Sequence, residues 1–297
     1  MHDTLQTKLL RAAYKIFPFD LRGDFRPVKT TRSSFISCLI CASNRADELD
    51  MLLTDLTEQT LMRTDFEVVL LNDGQGEAIR RVVEKYQSIL PIVYHENAMP
   101  DRVIGHLRNR TLELSCGEYV LFLDDDTRLQ QCDFLEKTKK MFSDKKADAI
   151  LPKANALYGI VKWRYDYLNA YSYSTRCCLY RRAVLEKVGG FINDIKSYED
   201  IDLSIRLTIA GIRTIKTAEL QYFHPPLYFD SMRKPYSVGQ AILQMRRRYS
   251  LGVWLLIYLN SLRFLPFCLI PNQQCQQWFK ISLGILLSVF KREQYYY

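Results

Sequence analysis

The chain has 297 residues, of which 48% are hydrophobic. This suffices for one large α/β domain with an appendage, or for two modest domains, and it excludes disorder over most of the length. The net charge of +8 is uneven, because residues 1–33 carry +4 and residues 231–297 carry +8, which leaves −4 for the middle. Basic ends rich in apolar residues favour a membrane surface, and no nucleic-acid recognition motif is present.

The first predicted element is an amphipathic helix over residues 5–17, with its apolar side chains on one stripe. The polar face is basic and carries Lys8, Arg11 and Lys15. Such a helix either packs on the domain or contacts a membrane or a partner, and the pattern leaves both alternatives open. Pro18 ends the helix, and residues 20–33 are predicted to form a polar linker.

The cysteines and the N-terminus indicate the compartment. Eight cysteines are present, and only Cys38 and Cys41 have C-x-x-C spacing, inside an apolar run. We interpret the cysteines as buried thiols in a reducing compartment. Because charged residues and Pro18 interrupt the apolar N-terminal residues, we find no signal-peptide core and expect the chain to face the cytosol.

From residue 35 onward, short apolar runs alternate with segments of helical periodicity. Strands are predicted over residues 35–41, 66–71, 91–95 and 119–123. Helices are predicted over residues 46–57, 77–90 and 104–115. Strands that are apolar throughout belong to mostly parallel sheets with helices on both faces, so the pattern predicts an α/β fold.

Small or polar residues follow three of these strands. They are Ala-Ser-Asn-Arg at 42–45, Asn-Asp-Gly at 72–74 and three aspartates at 124–126. Ligands of parallel sheets bind beyond the carboxyl ends of the strands. We therefore expect the three segments to lie together at one edge of the sheet.

The aspartates at 124–126, which we call the acidic run, directly follow a buried strand. Carboxylates beside a core are unfavourable unless a cation compensates them, and a divalent cation would also hold a diphosphate. A solvated acidic turn is the alternative. In an extended segment, Asp124 and Asp126 would point to one side and Asp125 to the other.

A helix is predicted from Tyr198 to Gly211, with Glu199 and Asp200 in its first turn, and a strand is predicted over residues 214–217. The acidic pair is either a charge pair that favours the helix dipole or a general base that takes the proton of an acceptor hydroxyl.

Residues 250–290 contain apolar blocks separated by polar residues and Pro266. The blocks, 251–259, 264–270 and 281–290, are each shorter than the roughly 20 residues that span a bilayer. We expect helices in the membrane plane or a re-entrant hairpin, with a helical cap on the domain as the alternative. Aromatic and basic residues suited to the headgroup level include Trp254, Tyr258, Trp278 and Lys280.

The order of these segments resembles the family 2 glycosyltransferases of GT-A fold. The matching segments are FISCLICASNR, VVLLNDGQG, HLRNRTLELSCGEYVLFLDDD, and VGGFIND followed by YEDIDLSIRL, within residues 34–225. The resemblance implies a Rossmann-like α/β fold, with a mostly parallel sheet between helices and amphipathic helical extensions at both ends. We therefore expect a terminal helix and linker at 1–33, a catalytic domain at 34–230 and a membrane-associating region at 231–297.

The resemblance also implies residue roles. The nucleotide is assigned to Ala42, Ser43, Asn44, Arg45, Asp73, Arg108, Asp124 and Asp125. Asp126 and His224 are assigned to Mg²⁺ or Mn²⁺, although a structural histidine before a turn is an alternative for His224. Asp200 is the implied general base, with Glu199 on the acceptor side. Apart from the resemblance, Trp163 is a candidate for stacking on an acceptor sugar, and aromatic core packing explains it equally well.

Some positions depart from the family pattern. Cys41-Ala42-Ser43 stands where the family has Pro-Thr-Tyr, Asn72 replaces an aspartate, and Gln75 replaces a serine. These differences weaken the assignment of the nucleotide-binding residues more than that of the metal ligands. The segment 244–249 resembles the Gln-x-x-Arg-Trp motif of processive relatives, but its tryptophan is absent, so processivity is not predicted.

The resemblance implies inverting transfer of a sugar from a nucleoside diphosphate, with a UDP-sugar as the expected donor. The expected acceptor is a hydroxyl of a glycan or lipid-linked glycan, reached by a peripheral or monotopic enzyme on the cytoplasmic face of the inner membrane. One alternative is a nucleotidyltransferase of related fold, which would be expected to show a glycine-rich loop after the first strand. Another is a non-catalytic membrane-associated partner subunit, against which the aspartates argue.

Overall fold

The structure is a computed structural model. It describes residues 4–27, 35–74, 77–97, 103–145, 147–155, 171, 176–195, 197–225 and 231–290. The strands are β1 (Ile36–Ala42), β2 (Phe66–Asn72), β3 (Ile92–Glu96), β4 (Tyr119–Asp124), β5 (Arg128–Leu129), β6 (Ala149–Asn155), β7 (Cys177–Arg181) and β8 (Thr214–Phe223). The helices are α1 (Leu5–Ile16), α2 (Ala46–Thr57), α3 (Ala78–Tyr86), α4 (Ile104–Leu114), α5 (Phe134–Lys145), α6 (Arg182–Val188), α7 (Glu199–Ile209), α8 (Arg233–Met245), α9 (Leu251–Ser261), the 3₁₀-helix η1 (Leu262–Leu269) and α10 (Gln273–Ser288).

The strands form one sheet in the order β3-β2-β1-β4-β7-β6-β8-β5. Four neighbouring pairs are parallel: β1 with β2, β1 with β4, β2 with β3, and β6 with β8. The three antiparallel pairs are β4 with β7, β6 with β7, and β5 with β8. The predicted α/β class with a mostly parallel sheet is therefore confirmed.

Apolar periodicity explains the first half of the sheet. Every residue of β2 is buried, as expected for a strand covered on both faces. α2 buries four leucines at helical spacing, which places one apolar stripe against the core. The four predicted strands and three predicted helices of this half are each confirmed, with ends that differ by a few residues.

The carboxyl ends of β1, β2 and β4 lie in register. Ala42 pairs with Asn72 across β1 and β2, and Cys41 pairs with Asp124 across β1 and β4. The expectation that the segments after these strands share one edge of the sheet is confirmed. The close approach requires a glycine, because a Cβ on Gly74 would lie 2.0 Å from the carbonyl oxygen of Ser43.

The chain divides into two compact units. The larger, which we call the sheet unit, comprises Gly23–Asn193 and Ile212–Pro226. The smaller, which we call the helical unit, comprises Met1–Arg22, Asp194–Gly211 and Leu227–Tyr297. Unlike the contiguous segments expected from the sequence (1–33, 34–230 and 231–297), each unit is assembled from separate stretches, and α7 belongs to the helical unit.

Within the helical unit, α1 packs on α9 but keeps an apolar face exposed. The Phe17 ring lies so close to Gly252 that a Cβ there would come within 2.3 Å of a ring carbon. α1 has no buried residue, and Leu5 and Ile16 are 72% and 70% exposed. α1 therefore packs on its own chain and still leaves an unpartnered apolar stripe.

The structure changes the bounds expected for two later elements. The first two apolar blocks after residue 250 are not separate, because α9 and η1 form one helical stretch over Leu251–Leu269. Asn260, Ser261 and Arg263 interrupt the hydrophobicity but are compatible with a helix, and Pro266 lies inside η1. By length and composition this 19-residue stretch could cross a membrane. The predicted strand at 214–217 also extends further, to Phe223.

The prediction for the cysteines holds only in part. All eight are free thiols, and Cys38, Cys177 and Cys178 are buried. Burial raises the pKa of Cys41 to about 12, so this thiol remains protonated at neutral pH. Cys132 and Cys268 are exposed, contrary to the expectation of uniformly buried thiols.

Candidate active site

The acidic run forms a turn at the end of β4. Asp124 is the last residue of the strand, and the Thr127 N–H donates a 3.0 Å hydrogen bond to the Asp124 carbonyl oxygen. Because the chain turns here, Asp125 and Asp126 both bind the guanidinium of Arg45, with 3.2 Å from Nη1 to Asp125 Oδ1. The expected alternation, with Asp125 pointing away from Asp126, is therefore wrong, since it assumed an extended chain.

His224 completes a cluster with two of these aspartates. It follows β8, and its Nε2 lies 3.1 Å from Asp126 Oδ1 and 3.5 Å from Asp124 Oδ2. Its Nδ1 lies 2.6 Å from the Pro225 carbonyl oxygen. A carbonyl can only accept, so Nδ1 carries a proton and Nε2 is the nitrogen that faces the carboxylates.

The donor set of this cluster fits a divalent cation. Ligand atoms from Asp124, Asp126 and His224 all lie within 4.8 Å of one another. Two ligands on opposite sides of a Mg²⁺ ion lie about 4.2 Å apart, so small side-chain rotations would close the set. Asp126 Oδ1 is buried and accepts no well-aligned hydrogen bond from the described residues. Metal-ligating histidines also commonly donate their other ring N–H to a carbonyl, as His224 does.

The electrostatics of the site show how tightly these charges are coupled. Burial acts to raise the pKa of Asp124, but the hydrogen bond from His224 and the charge of Arg108 outweigh it and hold that pKa well below its ordinary value. Burial is also the main cause that raises the pKa of Asp125 to about 7. Burial acts to lower the pKa of His224, whereas the neighbouring carboxylates of Asp124 and Asp126 raise it overall.

Arg108 supplies a buried cation beside the cluster. It lies on α4, and its Nη2 is 2.9 Å from Asp124 Oδ1. Its guanidinium also lies over the Phe191 ring, 5.7 Å from the ring centre. The neighbouring Asn109 donates to the Phe191 carbonyl oxygen and accepts from the Phe191 N–H, both at 2.9 Å. Arg108 therefore contacts both Asp124 and the Phe191 ring, and the next residue of α4, Asn109, binds the backbone of Phe191.

The predicted nucleotide residues at the ends of β1 and β2 lie together. Ala42 and Asp73 are buried, and the Asp73 N–H donates a 2.8 Å hydrogen bond to the Ala42 carbonyl oxygen. Asn97, after β3, donates to Asp73 Oδ1 at 2.7 Å. Ser43 and Asn44 lie in the loop that leads from β1 to Arg45 and α2. The roles of these residues in nucleotide binding stay predictions.

The two acceptor-side acids belong to the helical unit. Glu199 is the first residue of α7 and is buried, and Asp200 Oδ1 accepts a 2.8 Å hydrogen bond from the Ile201 N–H. Their roles stay predictions, as does that of Trp163, which lies outside the described residues.

Sequence reasoning missed two residues of the site. Asn97 holds Asp73, but it follows the partly buried β3, whose end was not considered. The carbonyl oxygen of Arg176 accepts from the Thr127 hydroxyl at 2.6 Å, and its charge contributes to the low pKa of Asp124. A signal for Arg176 was available, because a lone basic residue precedes the buried pair Cys177-Cys178.

Comparisons with known proteins agree with this geometry. The model of the family described as Glycosyl transferase family 2 matches residues 37–158. The glycosyltransferase AglE of Haloferax volcanii is 24% identical over 252 residues, which cover 77% of this chain and 82% of AglE. The TarS poly(ribitol-phosphate) β-N-acetylglucosaminyltransferase of Staphylococcus aureus is 27% identical over 123 residues, which cover 41% of this chain but 21% of TarS.

Solved structures share the fold. The crystal structure of TarS 1–349 in complex with UDP-GlcNAc aligns with a TM-score of 0.60 at 20% identity, covering 86% of this chain and 81% of that one. The mannosyltransferase PcManGT from Pyrobaculum calidifontis, in complex with GDP-Man and Mn²⁺, aligns with a TM-score of 0.60 at 15% identity, covering 97% and 96%. The fold is therefore that of the GT-A glycosyltransferases.

Proposed function

Because the chain belongs to the family 2 glycosyltransferases, we propose that it transfers a sugar from a nucleoside diphosphate to a hydroxyl of a glycan or lipid-linked glycan, in a metal-dependent reaction with inversion. The observation that carries the proposal is the cluster of Asp124, Asp126 and His224 between the cations of Arg45 and Arg108.

The donor side of the reaction is assigned to the sheet unit. Bound Mg²⁺ or Mn²⁺ would neutralise the charge that develops on the leaving diphosphate. Asp124, Asp126 and His224 are the residues that would hold it, and the GT-A neighbour with GDP-Man and Mn²⁺ supports this assignment. We propose a UDP-sugar as donor, a choice supported by the neighbour in complex with UDP-GlcNAc.

The other residues of the site bind and orient the donor. Arg108 is buried, and its guanidinium is fixed by Asp124 and Phe191, so its charge is available without reorganisation. Arg45 is half-exposed, and a flexible cation of this kind can shift from the aspartates to a diphosphate. Asp73, held by Asn97, is proposed to accept a hydrogen bond from the base.

Asp200 is proposed as the general base. It takes the proton of the acceptor hydroxyl as the oxygen attacks the anomeric carbon from the face opposite the leaving diphosphate, so inversion needs no covalent intermediate. Glu199 is proposed to support the acceptor. The assignment is supported by the family motif YEDIDLSIRL and by the position of both acids in the first turn of α7.

We further propose that the protein works as a peripheral or monotopic enzyme on the cytoplasmic face of an anionic membrane. α9 exposes Leu251, Leu255 and Leu259, which are spaced by one helical turn on a single face, and α1 exposes Leu5 and Leu9. Arg246 and Arg247 are exposed just before α9. An apolar helix face next to basic residues is typical of helices that lie in the interface of an anionic bilayer.

The proposal is tested by thermal shift with UDP, GDP, UDP-GlcNAc and GDP-mannose, each with and without Mn²⁺. A nucleotide at 100 times its Kd should raise the Tm by roughly 5 °C, in the presence of Mn²⁺ only. Stabilisation by the UDP compounds alone would support the donor assignment. The absence of metal-dependent stabilisation by any of the four would contradict the proposed function.

A further inference from the structure

α7, the helix that begins with Glu199 and Asp200, carries a buried ion pair. Asp202 and Arg206, one turn apart, are 0% and 1% exposed. Arg206 donates to Asp202 Oδ2 from Nε at 2.8 Å and from Nη2 at 2.6 Å. A buried ion pair is stable only when the remaining hydrogen-bonding atoms of both groups are also satisfied. The partners of this pair therefore determine whether α7 keeps its position.

Those partners come from distant parts of the chain. The hydroxyl of Tyr249, which follows α8, donates to the second carboxylate oxygen of Asp202. Tyr249 is 3% exposed, and its ring lies 4.4 Å from that of Phe19. Arg206 Nη1 donates to the Leu21 carbonyl oxygen at 3.4 Å. Three separate stretches of the helical unit thus meet at the ion pair of Asp202 and Arg206.

The turn that leads into α7 is held by α8. Ser197 and Tyr198 have φ angles of 66° and 74°, in the left-handed region that residues with a side chain rarely adopt. Such a backbone persists only where its surroundings hold it. The hydroxyls of Ser197 and of Ser237 in α8 lie 3.3 Å apart, so this strained turn is in contact with α8.

We propose that Tyr249 is a positioning residue for the acceptor half of the reaction: by binding Asp202 it fixes α7, and with α7 the carboxylate of Asp200. The inference rests on the proposed role of Asp200 as general base. A base acts only within hydrogen-bond reach of the proton that it removes. A small displacement of α7 therefore lowers turnover without weakening donor binding.

The proposal is tested with Tyr249→Phe in the full-length protein. The variant removes one hydroxyl and keeps the ring on Phe19. We expect faster amide hydrogen exchange at residues 199–203 and unchanged exchange in β1 and β4. With UDP-GlcNAc as donor and a membrane lipid extract as acceptor source, turnover should fall about 10- to 100-fold at constant donor KM. The matched control is Tyr258→Phe, because Tyr258 stacks on Trp254 in the same unit.

A second variant separates positioning from folding. Ser237→Ala leaves the Asp202 ion pair intact and removes the hydroxyl that contacts Ser197, so it should also speed exchange at residues 199–203. Unchanged exchange in both variants, or faster exchange with wild-type turnover, overturns the proposal. Asp200→Asn tests the underlying function separately: if that variant turns over normally, Asp200 is not the base. If Asp200→Asn is inactive while Tyr249→Phe behaves as wild type, the positioning role of Tyr249 is contradicted and the role of Asp200 as base is not.

Discussion

The two units differ in how they use charge. The sheet unit has 26 Lys and Arg residues against 25 Asp and Glu, and it gathers acids and arginines at the edge of the sheet. The helical unit has 15 Lys and Arg against 8 Asp and Glu, and it combines this surplus with exposed leucines. Local compensation of charge suits the proposed binding of a small anionic donor, whereas net positive charge beside exposed leucines suits the proposed contact with a large anionic surface.

The largest expected effect comes from removing a carboxylate of the sheet unit. Asp126→Asn should abolish Mn²⁺-dependent stabilisation by UDP and lower turnover by about 10³-fold, because the ligand set loses its buried anionic oxygen. Thermal shift and UDP release measure the two effects. Asp144→Asn, on the exposed end of α5, is the matched control. If Asp126→Asn kept its metal-dependent nucleotide binding, the sheet unit would not be the donor side.

The second-largest expected effect should distinguish the role of the helical unit from that of the sheet unit. Asp200→Asn in the helical unit is expected to lower turnover by about 10²- to 10⁴-fold, which is the range that a general base contributes. The Kd of UDP with Mn²⁺ should remain within about twofold of wild type, because the ligands of the cation are unchanged. Calorimetry measures the Kd of UDP, and UDP release measures turnover. A parallel loss of UDP binding would show that the two halves of the reaction are not divided between the units in this way.

The smallest effect concerns the membrane. Leu259→Glu on α9 should weaken binding to phosphatidylserine-containing vesicles about tenfold, because the variant loses an apolar side chain and adds a negative charge. Met62→Glu in the sheet unit is the control, since Leu259 and Met62 are 63% and 66% exposed. Vesicle co-sedimentation at two salt concentrations measures the difference. Equal binding by both variants would contradict the assignment of the membrane surface to the helical unit.

The sequence predicted the parts of the fold that depend on local pattern. Buried parallel strands need continuous apolar runs, and their carboxyl ends must meet at one edge, so the approach of Asn72 and Asp73 to the β1 end followed from residue types alone. The approach of His224 to Asp126 came from the family resemblance instead. Periodicity would not have shown it, because β8 reaches His224 only by extending beyond its predicted end.

What could not be predicted depends on contacts between distant residues. The turn at the acidic run brings both Asp125 and Asp126 to Arg45, about eighty positions earlier in the chain. Asp202 and Arg206 of α7 have the spacing of an i, i+4 ion pair. Spacing alone does not distinguish an exposed pair from a buried one, and burial here requires Tyr249.

The contacts of Leu21 and Tyr249 with the ion pair of Asp202 and Arg206 also determine when this part of the protein can fold during synthesis. A ribosome releases Leu21 well before Tyr249, so the charges of Asp202 and Arg206 must stay hydrated until residue 249 has emerged. The paired strands β1, β2 and β4 all lie between residues 36 and 124, so they are synthesised well before Tyr249. We therefore expect α7 to order last, once the helices with the exposed leucines have been made, so that a truncated nascent chain would have a donor site without an ordered base.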